Sequence, residues 1–258
     1  PGNIVLSPEG MVALDDRVQR FARHLGVRYE FVESTWPTVL SDLTGKEYSF
    51  KPSIRETGSR PVRGDIVATG LTILPARKQI IDYSDPTFPS AVWLLARADS
   101  GITPITPSGN IERDIKATKA VMKRGATFVA DNSCLDPTLY GLEGKGLKLK
   151  RFVLGAGNVN EVVPAMLKNE SDMTLLDVPD VLLAMERWSG RVIVVGPISG
   201  EQRMAAGFRK DSPKLREAFN SFLAGIKKDG TYMKLVRKYF RGAPRYMPEF
   251  FVDIPGRD

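Results

Sequence analysis

Arg77 stands five residues after Thr72 and seven after Gly70, all three closing a short apolar run within GDIVATGLTILPARKQIIDYSDPTF (residues 64–88). A buried strand that ends this way exposes backbone N–H groups, a hydroxyl and a guanidinium on one rim. That set suits a carboxylate, because arginine offers a planar fork of donors and the hydroxyl adds a directional one. In isolation the same residues fit a surface arginine beyond an ordinary glycine turn. In FVADNSCLDPTLYGL (128–142) a strand gives way to a predicted helix over 135–143, with Asn132 or Ser133 at its N-cap. Helix N-termini attract anions through unpaired N–H groups and the dipole, although capping alone accounts for Ser133. In ESDMTLLDVPD (170–180) an apolar strand delivers Asp177 at its carboxyl end, where α/β sheets place ligand-binding groups. A carboxylate there can accept from an ammonium group or simply cap the next helix. Cys134 has no partner base in view and reads as an inert small residue.

Composition narrows the chemistry these groups can do. One cysteine, Cys134, excludes an internal disulfide and a cysteine-rich zinc site, and one histidine, His24, excludes a multi-histidine metal centre. No catalytic residue, metal or cofactor is expected. The net charge of +7 comes without a run of five or six like charges or a nucleic-acid-binding signature, so it reads as solvated surface. No apolar stretch approaches the roughly 18 residues that span a bilayer. The sequence opens at Pro1 with no charged and apolar leader, so any targeting segment is expected to have been removed or never present.

The elements that must position these groups alternate in type, which predicts an α/β fold. Residues 11–25 carry a helical apolar stripe through Val18, Phe21 and Ala22, closed by Gly26. Residues 29–32 read as a strand, 36–43 as a short helix containing Trp36, and 45–64 as an extended surface loop rich in Gly, Pro, Ser and charge. Strands follow at 65–69 and 91–96, then a polar crossing over 98–111. Beyond it, βα units run from 112 to 195 and imply a largely parallel sheet. A strand near 203–208 and helices at 212–227 and 231–240 complete the pattern.

Taken in order, the three segments resemble the amino-acid-binding family 3 of bacterial solute-binding proteins, the extracytoplasmic components of ABC importers. The resemblance runs from about residue 10 to 241, and SPKLREAFNSFLAGIKKDGTYMKLVRKYF (212–240) is similar to the family's closing signature. It implies a two-lobed type 2 periplasmic-binding fold with a hinge and a ligand in the cleft between lobes. Lobe 1 is expected to be discontinuous, 1–96 with 198–258, and lobe 2 to span 97–197. Gly70, Thr72 and Arg77 would hold a ligand α-carboxylate, with Ser133 donating to it from the second lobe. Asp177 would accept from the α-ammonium, and Trp36 would line the ligand side chain. The expected partners are an amino-acid-like small molecule and a membrane permease or sensor, with no nucleic acid, and the chain is expected to be periplasmic and monomeric.

The sequence departs from the family twice. The strand and aromatic residue with which the family usually begins lack a counterpart ahead of Pro1, and the stretch 45–64 is longer than the usual connection. Other readings share the fold. One is a cyclohexadienyl dehydratase-like enzyme, which needs an acidic proton donor in its cleft. Another is the ligand-sensing part of a larger membrane protein such as a histidine kinase or murein transglycosylase, with the tail after Phe240 as a junction. A LysR-type effector domain shares the architecture, but the sequence has no helix-turn-helix.

Overall fold

The computed structural model describes residues 4–6, 12–153 and 159–256. Pro1, Met11 and the last two residues, which the predicted lobes and first helix included, lie outside them. In chain order the elements begin β1 (Ile4–Leu6), α1 (Val12–Leu25), β2 (Phe31–Glu33), α2 (Val39–Thr44), β3 (Lys46–Ser49), β4 (Arg55–Ser59), β5 (Ile66–Thr72) and α3 (Pro75–Lys78). They continue β6 (Asp82–Tyr83), β7 (Phe88–Ser90), β8 (Val92–Arg97), α4 (Ile111–Val121), β9 (Ala126–Val129), β10 (Lys148–Arg151), α5 (Val159–Leu167) and β11 (Met173–Asp177). The last are α6 (Val178–Arg187), β12 (Val192–Pro197), β13 (Gln202–Phe208), α7 (Pro213–Lys228), α8 (Thr231–Tyr239), α9 (Ala243–Tyr246) and α10 (Pro248–Phe251). They fall into two compact units, Pro1–Pro89 with Arg203–Asp258, and Ser90–Gln202.

These boundaries differ from the predicted 96 and 198; in particular β8, placed in lobe 1 by the sequence reading, hydrogen-bonds into the second unit's sheet. The polar stretch 98–111 likewise lies within the second unit, where the Ile105 N–H donates to the Val195 carbonyl at 2.9 Å.

The first unit is built on the sheet order β2-β1-β5-β13-β6, with β7 also paired to β13. A strand the sequence reading did not assign, β1, lies parallel to both β2 and β5. Strand β5 is buried along nearly its whole length, which is why it reads as a continuous apolar run. Helix α1 turns Val18, Phe21 and Ala22 inward, each 3% exposed or less. Phe21 meets Phe219 edge-on at 5.1 Å, and each such buried side chain contributes about 1.5–3 kcal/mol. The helix stops at Gly26, whose φ of 67° is open to glycine at little cost.

Residues 45–64 are not a loop. They form the antiparallel hairpin β3–β4, in register from Lys46 opposite Ser59 to Ser49 opposite Arg55. Tyr48, Phe50 and Ile54 turn inward onto the cluster of Val39, Leu43 and Leu71. The tail after Phe240 is also folded: α9 and α10 bury Ala243 and Phe251 completely, and Phe251 lies 6.1 Å from Phe88.

In the second unit the sheet order is β10-β9-β11-β8-β12. Strands β9, β10, β11 and β12 run one way and β8 alone runs against them. Leu94, Leu95, Met166, Met173 and Leu175 form the centre of its core, each fully buried. The helix predicted over 135–143 is instead a single 3-10 turn, Pro137–Tyr140. Pro137 fixes its start and Gly141, at φ 60°, ends it, leaving no length for an α-helix.

Candidate functional site

In the first unit, β5 ends in Gly70-Leu71-Thr72 opposite an irregularity in β13. Leu71 pairs with Ala205 and Val67 with Gly207, so three residues, 68–70, face Ala206 alone. The bulge needs a backbone that can turn, and Gly70 supplies it at φ 63°. Thr72 is 1% exposed, and its carbonyl accepts two hydrogen bonds, from Arg77 Nη1 at 3.1 Å and Tyr83 Oη at 3.1 Å. Arg77 sits on α3, a one-turn helix started by Pro75. Its guanidinium carbon lies 5.7 Å from the centre of the Trp36 ring.

Arg77 is only 4% exposed, yet it forms no ion pair with a carboxylate among the described residues. A guanidinium keeps its charge at any ordinary pH, so burial without a counter-charge is costly. Tyr83, not singled out from the sequence, belongs to this group. Burial pushes its phenol above the usual value, and the neighbouring Arg77 pulls the other way.

Trp36 is held from behind. It lies in a turn, Thr35–Thr38, whose flanks are tied to the fully buried carboxylate of Asp42. Asp42 Oδ2 accepts from Ser34 Oγ at 2.5 Å and Thr38 Oγ1 at 3.1 Å. Arg60 and Arg63, from the end of the hairpin, reach the same carboxylate at 3.1 and 3.3 Å. One acid therefore joins the Trp36 turn, α2 and the hairpin.

In the second unit, Ser133 is buried and committed to its own turn. Its hydroxyl donates to the Ala130 carbonyl at 2.7 Å and accepts from the Leu135 N–H at 2.9 Å. It does not open a helix. Asp177 is the N-cap of α6: Oδ1 accepts from the Asp180 N–H at 3.2 Å. Cys134, beside Ser133, places its sulfur 3.9 Å from Asp177 Oδ2, which brings the second and third sequence segments together. Burial pushes the Asp177 carboxyl up to about 6, against the opposing pull of the Asp180 N–H and the Cys134 thiol. Asp180 is also pushed up, by burial and then by the charge of Asp177. Behind Cys134, Tyr140 donates to its carbonyl and accepts from Gln202 Nε2 at 3.1 Å.

The two candidate ligand-binding charges are both buried and of opposite sign, Arg77 in the first unit and Asp177 in the second. Sequence spacing singled out both as candidates. It did not find Asp42, Tyr83 or the Cys134–Asp177 contact, since each depends on which chain segments fold together.

Residues 13–242 match the family model described as bacterial extracellular solute-binding proteins, family 3. The chain belongs to that family. Among curated relatives it is 25% identical over 226 residues to membrane-bound lytic murein transglycosylase F of Desulfosudis oleivorans, covering 87% of this chain and 43% of that protein. It is 25% identical to the arginine-binding extracellular protein ArtP of Bacillus subtilis, over 69% of this chain and 64% of that protein. It is 24% identical to the L-cystine-binding protein TcyJ of Escherichia coli, over 86% of this chain and 71% of that protein. The chain therefore spans less than two thirds of the first two of these relatives. Among solved structures, an ancestral arginine-binding protein bound to glutamine superposes with a TM-score of 0.72 at 21% identity, over 93% of this chain and 98% of that one. The mixed α/β fold in two units is the one these binding proteins share. No helix among the described residues is long and apolar enough to cross a membrane.

Proposed function

We infer that this family member binds a free amino acid outside the cytoplasm, as the solute-capturing component of an ABC-type importer. The observation that carries this reading is Arg77: a buried guanidinium, stacked on Trp36 and bonded to a carbonyl, with no carboxylate among the described residues to neutralise it. An α-carboxylate supplies the missing charge through a two-donor fork. Gly70 and Thr72, at the same strand end, add contacts to it, and Trp36 offers an apolar wall to the ligand side chain. Asp177, ionised, accepts from the α-ammonium. Ser133 joins the carboxylate half by giving up its bond to Ala130. A zwitterion carries a charge for each of these groups, so affinity is expected to depend on Arg77 and Asp177 alike.

In this reading the protein is a periplasmic, monomeric binder that hands its ligand to a membrane permease, and it does no chemistry on it. Isothermal titration against the common amino acids tests it. A saturable heat with at least one of them is expected for the wild type and is lost in Arg77→Ala. No binding by the wild type, or unchanged binding by the variant, overturns the reading. The murein transglycosylase relative favours a second reading, because this chain matches 43% of that protein. Such a chain would serve as the ligand-sensing portion of a longer membrane protein, with the same site reporting the amino acid rather than delivering it.

A further inference from the structure

A second buried arginine lies in the first unit, on α1. Arg17, on α1, is 3% exposed and pairs with no carboxylate among the described residues. Its Nη1 donates to the Thr87 carbonyl at 3.4 Å, a carbonyl that also accepts from Tyr232 Oη at 2.9 Å. Its guanidinium carbon lies 5.2 Å from the centre of the Tyr232 ring, and its Nε–H has no hydrogen-bond partner. Lys227 adds a second cation, with Nζ 5.5 Å from the same ring and donating to the Pro86 carbonyl at 3.1 Å. Lys227, too, forms no ion pair among the described residues.

Beside Arg17 is a small cavity lined by Ala68, Gly70, Thr87, Ala205, Ala206 and Phe219, with room for a water-sized guest. Small side chains from β5 and β13 leave this space. Two cations share one buried aromatic ring, and the acid whose charge reaches them, Asp85, acts on Lys227 rather than on Arg17. Burial lowers the affinity of both for their protons; for Lys227 the charge of Arg17 lowers it further and that of Asp85 opposes the shift. An arginine cannot escape by losing its proton, so the arrangement calls for a counter-charge.

We propose that this cavity is a structural site for a chloride-sized monovalent anion, held by the Arg17 Nε–H and balanced against Arg17 and Lys227. A guanidinium offers donors only, which an anion answers more fully than a water can. The anion would brace α1 and α8 against the sheet beside Ala205 and Ala206.

The test is thermal unfolding of the ligand-free protein in sodium chloride against sodium gluconate at constant ionic strength. The melting temperature is expected to climb with the logarithm of chloride concentration, by about 3–6 °C per tenfold above the dissociation constant. Bromide is expected to replace chloride, and crystals soaked in bromide to show an anomalous peak beside Arg17. Arg77→Ala should keep the chloride dependence and Arg17→Met should lose it, which separates this site from the amino acid site. Should Arg17→Met fail to fold, the two-salt comparison and the bromide map still decide. Equal melting in both salts, or a water and no bromide at Arg17, overturns the proposal.

Discussion

Burial acts differently on the two charges that define the candidate site. Arg77 has no carboxylate partner among the described residues, whereas burial makes Asp177 hold its proton up to about pH 6. Leaving a buried charge without its partner typically costs about 3–5 kcal/mol. Arg77→Ala is therefore expected to weaken amino acid binding by at least about tenfold, as read by titration calorimetry. Arg77→Lys should recover only part of the loss, because an ammonium has no planar fork. A zwitterion's ammonium needs the ionised form of Asp177, so affinity should rise with pH through about 6 and be flat in Asp177→Asn. Stability of the free protein goes the other way. The folded pKa of Asp177 lies above the unfolded value of about 3.9, so the native state holds the extra proton. This group's contribution to stability is then fullest below about pH 4 and falls as pH rises toward about 6. Urea denaturation at pH 4, 5, 6 and 7 should show that decline in the wild type and less of it in Asp177→Asn.

Elements were legible where local chemistry decides them. Helix α6 begins at Val178 because Asp177-Val178-Pro179 is both a cap and a start signal. The hairpin β3–β4 was not legible. Its apolar residues, Tyr48, Phe50 and Ile54, are spread among charges, and what orders them is the cluster around Leu71 on a distant strand. The predicted helix after Ser133 failed for the opposite reason, since Pro137 and Gly141 confine it to one turn. Arg17 was invisible because an arginine on an amphipathic helix reads as solvent-facing. Of the site, Arg77 and Asp177 followed from strand ends, while Asp42 needed three segments to converge. Asp42→Asn should remove charge-assisted bonds to the Trp36 turn and the hairpin, at a cost of about 1.5–3 kcal/mol. Hydrogen exchange should then speed up across 46–59 more than in the sheet strands, and amino acid affinity should fall with it.

At the scale of the whole molecule, the net charge is uneven. Residues 203–258 hold 13 Lys and Arg against 6 Asp and Glu, a difference of +7 that equals the total for the chain. The basic excess thus belongs to β13 and the helices after it, and these also finish the first unit's core. Phe251→Ala, which empties a fully buried position there, should cost about 3–5 kcal/mol in chemical denaturation. The second unit is continuous, Ser90–Gln202, and is expected to fold when expressed alone, with a cooperative thermal transition by circular dichroism. Residues 1–89 alone should not, because β13 stands between β5 and β6 in the sheet. That strand order also sets a schedule for synthesis. As the chain leaves the ribosome the second unit has all its strands in hand first, while the earliest strands, β1, β2 and β5, wait for a neighbour still to be translated. The segment made first is the last to be completed, and through that interval β5, the strand that carries Gly70 and Thr72, has an open edge.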